Sequence, residues 1–99
     1  MLTIPIQDTH NQKFSTILAD QYCKVNLYQK KTGLYCDLYV DDVLLLGGVV
    51  CQNLNRIVRD AHLGFIGDLF FYDTQGTDDP TTPGLGERFL FFYLEVTDI

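Results

Sequence analysis

The chain has 99 residues, 46 % of them hydrophobic, and carries 13 acidic side chains against 7 basic ones. That length is expected to form a single β domain over residues 1–99, with a core that needs neither disulfide nor metal, and the hydrophobic content excludes intrinsic disorder. No apolar run approaches the ~20 residues of a bilayer-spanning helix, and a pI near 4.5 argues against nucleic-acid or anionic-membrane binding through bulk charge.

In chain order, Leu2–Ile6 reads as a brief strand, with Pro5 marking an edge or an end. Its opening lacks a basic stretch ahead of an apolar core, so no secretion signal is expected and synthesis is assigned to a cytoplasm. Asp8–Asn11 is a polar turn. Lys13–Leu18 and Gln21–Gln29 follow as strands joined tightly at Ala19-Asp20. In the second, Cys23, Val25 and Leu27 alternate with Lys24, Asn26 and Tyr28, the period of a half-buried strand.

After a turn ending at Gly33, residues 34–40 alternate again. Leu34, Cys36, Leu38 and Val40 take one face; Tyr35, Asp37 and Tyr39 take the other. Beyond the Asp41-Asp42 turn, Val43–Leu46 is continuously apolar, which suits a strand covered on both faces. Gly47-Gly48 interrupts it like a bulge. Asn53–Asp60 is the one helical candidate, capped by Asn53, with Leu54, Ile57 and Val58 on one side. Leu63–Tyr72 returns to strand, Asp73–Glu87 is a long Gly/Pro/Thr-bearing loop, and Phe89–Val96 is a strongly aromatic last strand. The expected fold is therefore all-β: a small antiparallel barrel or sandwich of about seven strands with one short helix.

Catalytic chemistry is sparse. Ser15 is the sole serine and lies in a predicted strand; His10 sits in a turn and His62 just before a strand, where each reads as a polar surface histidine. Asp41-Asp42 and Asp78-Asp79 lack the spacing of a calcium loop. Gly84–Gly86 opens no helix, so it is no phosphate cradle. Cys23, Cys36 and Cys51 are widely spaced and read as small buried hydrophobes. No catalytic, metal or cofactor residue is assigned, and the chain is read as no enzyme.

What remains is surface. Residues 60–87 hold six acids (Asp60, Asp68, Asp73, Asp78, Asp79, Glu87) and no Lys or Arg, so the net charge of −6 is a local field. Tyr22 and Tyr28 fall on the outward phase of one strand, Tyr35 and Tyr39 on that of the next, where tyrosine favours protein–protein contact. The candidate interface is Asn53, Arg56 and Arg59 on the short helix, Asp78, Asp79, Pro80, Pro83 and Gly84 in the loop, and Tyr35 with Tyr39. The arginines beside the acids suit head-to-tail contact between copies.

Four segments, taken together and in order, carry a resemblance: LTIPIQDTHNQKFSTIL, TGLYCDLYVDDVLLLGGVVCQNLN, LGFIGDLFFYD and DDPTTPGLGERFLFFYLE. Their order and spacing resemble the small baseplate plug proteins of contractile-tailed phages, of the cyanophage type, over nearly the whole chain. The resemblance implies a structural virion subunit, made in the host cytoplasm and placed in the tail baseplate near the hub and the tube tip. Its implied partners are hub, tube and spike components and copies of itself, with no membrane and no specific nucleic acid. A ring of copies would repeat the acidic segment around an axis, facing a DNA channel or a basic partner. The competing reading is a small β-barrel binding module that captures a peptide or an oligosaccharide on its tyrosine face.

Overall fold

Seven strands form two antiparallel sheets in the computed structural model, which describes residues 1–59 and 64–98. The first sheet is a meander in the order β2-β3-β4-β5: Asn11–Leu18, Gln21–Lys30, Gly33–Val40 and Val43–Val50. The second has the order β1-β7-β6, built from Leu2–Ile4, Phe89–Leu94 and Asp68–Asp73. The expected all-β class and strand number are those observed.

The meander follows from local sequence. Ala19 and Asp20 have φ of 49° and 62°, and Asp41 and Asp42 have 51° and 65°. Positive φ at both central residues marks type I′ turns, whose twist matches that of paired strands. The registers then place Leu27 beside Cys36 and Val25 beside Leu38 on one face. These side chains are fully buried.

The three-stranded sheet supplies the other half of the core. Leu69, Phe71, Phe91 and Tyr93 are at most 1 % exposed. Phe71 and Phe91 stack with centroids 4.5 Å apart, and Phe65 meets Tyr93 edge-on at 6.1 Å. Each such ring contributes roughly 1.5–3 kcal/mol by burial, with aromatic pairing adding to it. Gly67 permits close approach here: at φ +92°, a side chain would collide with the Leu94 carbonyl and the Tyr93 ring.

Two expectations are corrected. Residues 53–59 form no helix. Leu54 and Arg59 have φ of 62° and 58°, outside the right-handed helical region. The segment instead runs along the free edge of β6. Leu54 N–H donates to the Phe71 carbonyl and Ile57 N–H to the Leu69 carbonyl, both at 2.8 Å. Two turns of helix are too weak to compete with such tertiary partners. Asp60, His62 and Leu63 lie outside the described residues.

The second correction concerns Val43–Leu46. The strand there is not covered on both faces. It extends through Gly47-Gly48 to Val50 as β5, an edge strand, with Val43 65 %, Leu44 53 % and Val50 39 % exposed. The register shift opposite Cys36–Tyr39 is the bulge that the glycine pair foretold.

Candidate interaction surfaces

The outward face of the four-stranded sheet is a lattice of tyrosine and lysine. Cross-strand pairing sets Tyr28 beside Tyr35 and Tyr35 beside Val50 in one row, and Lys24, Tyr39 and Leu44 in another. Tyr28 and Tyr35 stack at 5.9 Å, and Lys30 Nζ lies 5.3 Å from both ring centroids. Lys13 approaches Tyr39 at 5.7 Å and Lys24 approaches Tyr22 at 5.6 Å. All four lysines of the chain fall on β2, β3 or the turn after it. Cation–π contact holds these long side chains against the rings without neutralising them.

Asp37 anchors the middle of this face. Its Oδ1 accepts from the Tyr28 hydroxyl at 3.0 Å and from Gly48 N–H at 2.7 Å; its Oδ2 accepts from Asn26 Nδ2 at 3.3 Å. Burial, with this acceptor next, pushes the Tyr28 hydroxyl above the usual phenol range.

The outward face of the three-stranded sheet differs in kind. Thr3, Phe92 and Phe70 form one row across it, and Tyr72 pairs with Leu90. Phe70 and Phe92 stack at 5.3 Å, and Tyr72 is 42 % exposed. Phe70, Leu90, Phe92 and Leu94 are half-buried. Asp68, which pairs with Leu94, is 4 % exposed and turned to backbone.

The acidic stretch does not form one continuous surface field. Asp68 accepts from the N–H groups of Val58 at 2.8 Å, Arg59 at 3.0 Å and Leu69 at 2.7 Å. Asp73 is 1 % exposed and takes a two-pronged contact from Arg88, with Nε–Oδ1 and Nη2–Oδ2 both 2.9 Å. It also accepts from Gln75 and Asp78 N–H. The Arg88 guanidinium, then burial in opposition, then those backbone donors hold the Asp73 carboxyl well below the carboxylate range. Arg88 also reaches Asp78 at 2.9 Å, so the base one residue past the acidic run neutralises part of it.

These contacts locate the candidate residues. Asn53 is architectural: its N–H donates to Asp79 Oδ1 at 3.0 Å, and its Oδ1 accepts from Asp73 N–H at 2.8 Å. Arg56 and Arg59 are exposed on the same segment. The structure thus brings the arginine-bearing segment and the Asp78-Asp79 turn to one side of the molecule. The loop itself is pinned. Asp8 accepts from Thr82 Oγ1 at 2.6 Å and Gly84 N–H at 2.9 Å, which lowers its carboxyl from the usual value. Gln29 Oε1 accepts from Thr81 and Thr82. Pro80 is buried with Leu85 under the loop, Gly84 is half-buried, and Asp78, Asp79 and Pro83 face outward. Tyr35 and Tyr39 belong to the other surface, the tyrosine–lysine lattice.

Sequence reasoning missed the inward acids and the aromatic outer face of the second sheet. Strand parity was the available signal, since Asp73 shares its phase with Leu69 and Phe71.

The β-sandwich thus carries stacked aromatic rings on the outer face of each sheet. Residues 1–96 match the family described as cyanophage baseplate Pam3 plug gp18. The chain belongs to that plug family. It is therefore a structural protein of a phage tail baseplate, and the resemblance carried by its four segments holds over almost the full length. No curated protein matches the chain. Among the described residues, no group of three His, Cys, Asp or Glu side chains is placed to hold a metal.

Proposed function

We propose that this plug-family chain is an adaptor subunit of a contractile tail, seated near the hub and the lower end of the tube, where it joins or seals neighbouring components. The observation that carries the reading is the pair of outward aromatic faces. A free monomer seldom keeps half-exposed rings on both sides of a sandwich, whereas an assembly component buries them. Tyr35 and Tyr39 dock one neighbour through the tyrosine–lysine face. The side formed by Asn53, Arg56, Arg59, Asp78, Asp79 and Pro83 meets another, with Pro80 and Gly84 shaping the loop. Since arginines and acids share that side, it suits a partner that is itself of mixed charge.

The competing reading, capture of a peptide or an oligosaccharide on the tyrosine face, finds little concavity there. The concavity on the tyrosine face, lined by Lys13, Lys24, Tyr39 and Asp42, is about 180 Å³. Ligand pockets begin at roughly 300 Å³ and enclose most of their ligand.

The test is localisation. Mass spectrometry of purified virions is expected to find the chain in fixed ratio to the other baseplate proteins, and a density map of the tail tip is expected to place it between hub and tube. Its absence from purified particles would defeat the proposal.

A further inference from the structure

The lysines of this acidic chain are gathered in one place. Lys13, Lys24 and Lys30 share the outward phase of the four-stranded sheet, and Lys31 follows in the turn. Asp37 is the sole acid at the outward positions of β2–β5, and its oxygens already take three donors, from Tyr28, Gly48 and Asn26. Asp20, Asp41 and Asp42 stand in turns at the far end of the meander from Lys30 and Lys31, and Lys24 answers Asp42 at 2.6 Å. Asp8, just ahead of β2, is turned to Thr82 and Gly84. Among the described residues, Lys13, Lys30 and Lys31 form no ion pair. The face is therefore basic from its middle to the 31–32 turn, although the chain as a whole carries −6. Charges further apart than about 8 Å are largely screened at physiological ionic strength, so a partner meets the local sign.

Among these ammonium groups lies a fixed apolar floor. Tyr28 and Tyr35 stack at 5.9 Å, and each hydroxyl is held, Tyr28's by Asp37 at 3.0 Å and Tyr35's by Thr32 Oγ1 at 2.5 Å. Val50, 39 % exposed, continues the row beside Tyr35. Lys30 Nζ, 5.3 Å from both ring centroids, keeps its charge available there. Through Asn26, the cross-strand partner of Lys13, the backbone of Lys13 stands about 13 Å from that of Lys30 along the strands. That span suits a protein surface better than a single carboxylate ligand.

We propose that this basic half of the tyrosine–lysine face binds an acidic surface patch of a different baseplate protein. Carboxylates of the patch meet Lys13, Lys30 and Lys31, and an apolar side chain of it lies on Tyr28, Tyr35 and Val50. The inference rests on the docking role given above to Tyr35 and Tyr39, and adds the chemistry of the neighbour they dock. A second copy of the chain fits poorly. Its Asp42, Asp78 and Asp98 already hold cations and its Asp79 accepts from Asn53 N–H, which leaves it few acids to present. Single-stranded nucleic acid fits poorly as well. It stacks bases on open ring faces, whereas Tyr28 and Tyr35 stack on each other and Lys30 lies over both.

The experiment is carbodiimide cross-linking of purified virions, which joins an ammonium to a carboxylate in direct contact, read by mass spectrometry. Lys13 and at least one of Lys30 and Lys31 are expected to be linked to Asp or Glu of another baseplate protein, and the Lys24–Asp42 pair supplies an internal link that reports on the reaction. Lys30→Glu combined with Lys31→Glu is expected to abolish incorporation into virions. Both side chains are exposed, so the purified variant is expected to keep the wild-type circular dichroism and melting curve. Lys30→Arg combined with Lys31→Arg is expected to retain incorporation, because the charge is kept. Links from these lysines to a second copy overturn the proposal. So does incorporation of the double Glu variant at the wild-type level, or binding of an oligothymidylate by the purified chain that the double Glu variant loses. A chain present in wild-type virions but not linked through these lysines defeats this inference alone, whereas a chain missing from them defeats the plug reading and this inference with it.

Discussion

The two sheets solve the same burial problem by different means. The four-stranded sheet is assembled from neighbours in sequence, each hairpin closed by a turn of two residues, and its outward face is wet, with lysines lying over tyrosines. The three-stranded sheet joins the two ends of the chain. Its outward face is aromatic and aliphatic, and its edge is held by a buried carboxylate that satisfies backbone donors of residues 58, 59 and 69. Local pairing needs little beyond the right turn. Distant pairing needs specific anchors, because loop-closure entropy must be offset before the contacts form. The acids read first as a surface field are, at Asp68 and Asp73, those anchors.

The sharpest way to break this picture is within β7. Phe91 is fully buried and stacked on Phe71, while its neighbour Phe92 points outward. Phe91→Ala is expected to cost about 3–5 kcal/mol of unfolding free energy, as truncation of a core ring does. Phe92→Ala is expected to cost about 1 kcal/mol or less, since a half-exposed ring forfeits little burial. Urea titration measures both. Equal losses would mean that the outward face is already covered within the isolated chain. If the small loss is seen, Phe92→Ala is the variant of choice for testing virion incorporation, because its fold is intact.

Asp68→Ala probes the anchor. It leaves the N–H groups of Val58, Arg59 and Leu69 without their acceptor. An orphaned donor costs about 1–3 kcal/mol when water cannot reach it, so a total loss of about 2–4 kcal/mol is expected. Hydrogen exchange at residues 58 and 59 should accelerate more than exchange in the β3–β4 hairpin. Uniform acceleration would show that the two sheets unfold as one unit and that Asp68 has no local role.

The dependence on pH separates the sheets further. Asp73 and Asp8 both have folded-state pKa values lowered from 3.8, Asp73 chiefly through Arg88 and Asp8 chiefly through Thr82 and Gly84. A lowered folded value means that the stabilisation is fully present above the unfolded value and is lost as pH falls through the folded one. Stability is thus expected to be flat from neutrality down to about pH 4 and to decline below it. Arg88→Gln should flatten that acid limb. The exposed Lys24–Asp42 pair on the other sheet is expected to contribute little to stability.

How much of this was legible depends on sequence distance. The alternation in β3 and β4 fixes their inner and outer faces directly, so strand parity alone puts Tyr22, Tyr28, Tyr35 and Tyr39 on one side. Val43–Val50 was legible as a strand but not as an edge, because an uninterrupted apolar run looks alike whether a neighbour covers it or not. The stretch 53–59 had helical spacing, yet its N–H groups found acceptors on Phe71, Leu69 and Asp68, residues that no local pattern connects to it. The interface candidates divide the same way. Tyr35 and Tyr39 followed from parity, whereas the adjacency of Asn53 and Asp79 arises from chain folding over an interval of 26 residues.

The smallest expected effect tests the claim that the meander depends mainly on its turns. Ala19 occupies the first central position of a type I′ turn at φ 49°, where its Cβ crowds the following carbonyl. Asparagine tolerates this conformation better and is the residue most favoured there. Ala19→Asn is therefore expected to stabilise the protein by about 0.5–1 kcal/mol, read as a small rise in melting temperature. The gain should come through faster folding if the β2–β3 hairpin forms before the chain ends meet, and through slower unfolding if the hairpin forms late. A stopped-flow comparison of the two rate constants decides between them, and an unchanged melting temperature would show that the turn is imposed by the sheet and does not direct it.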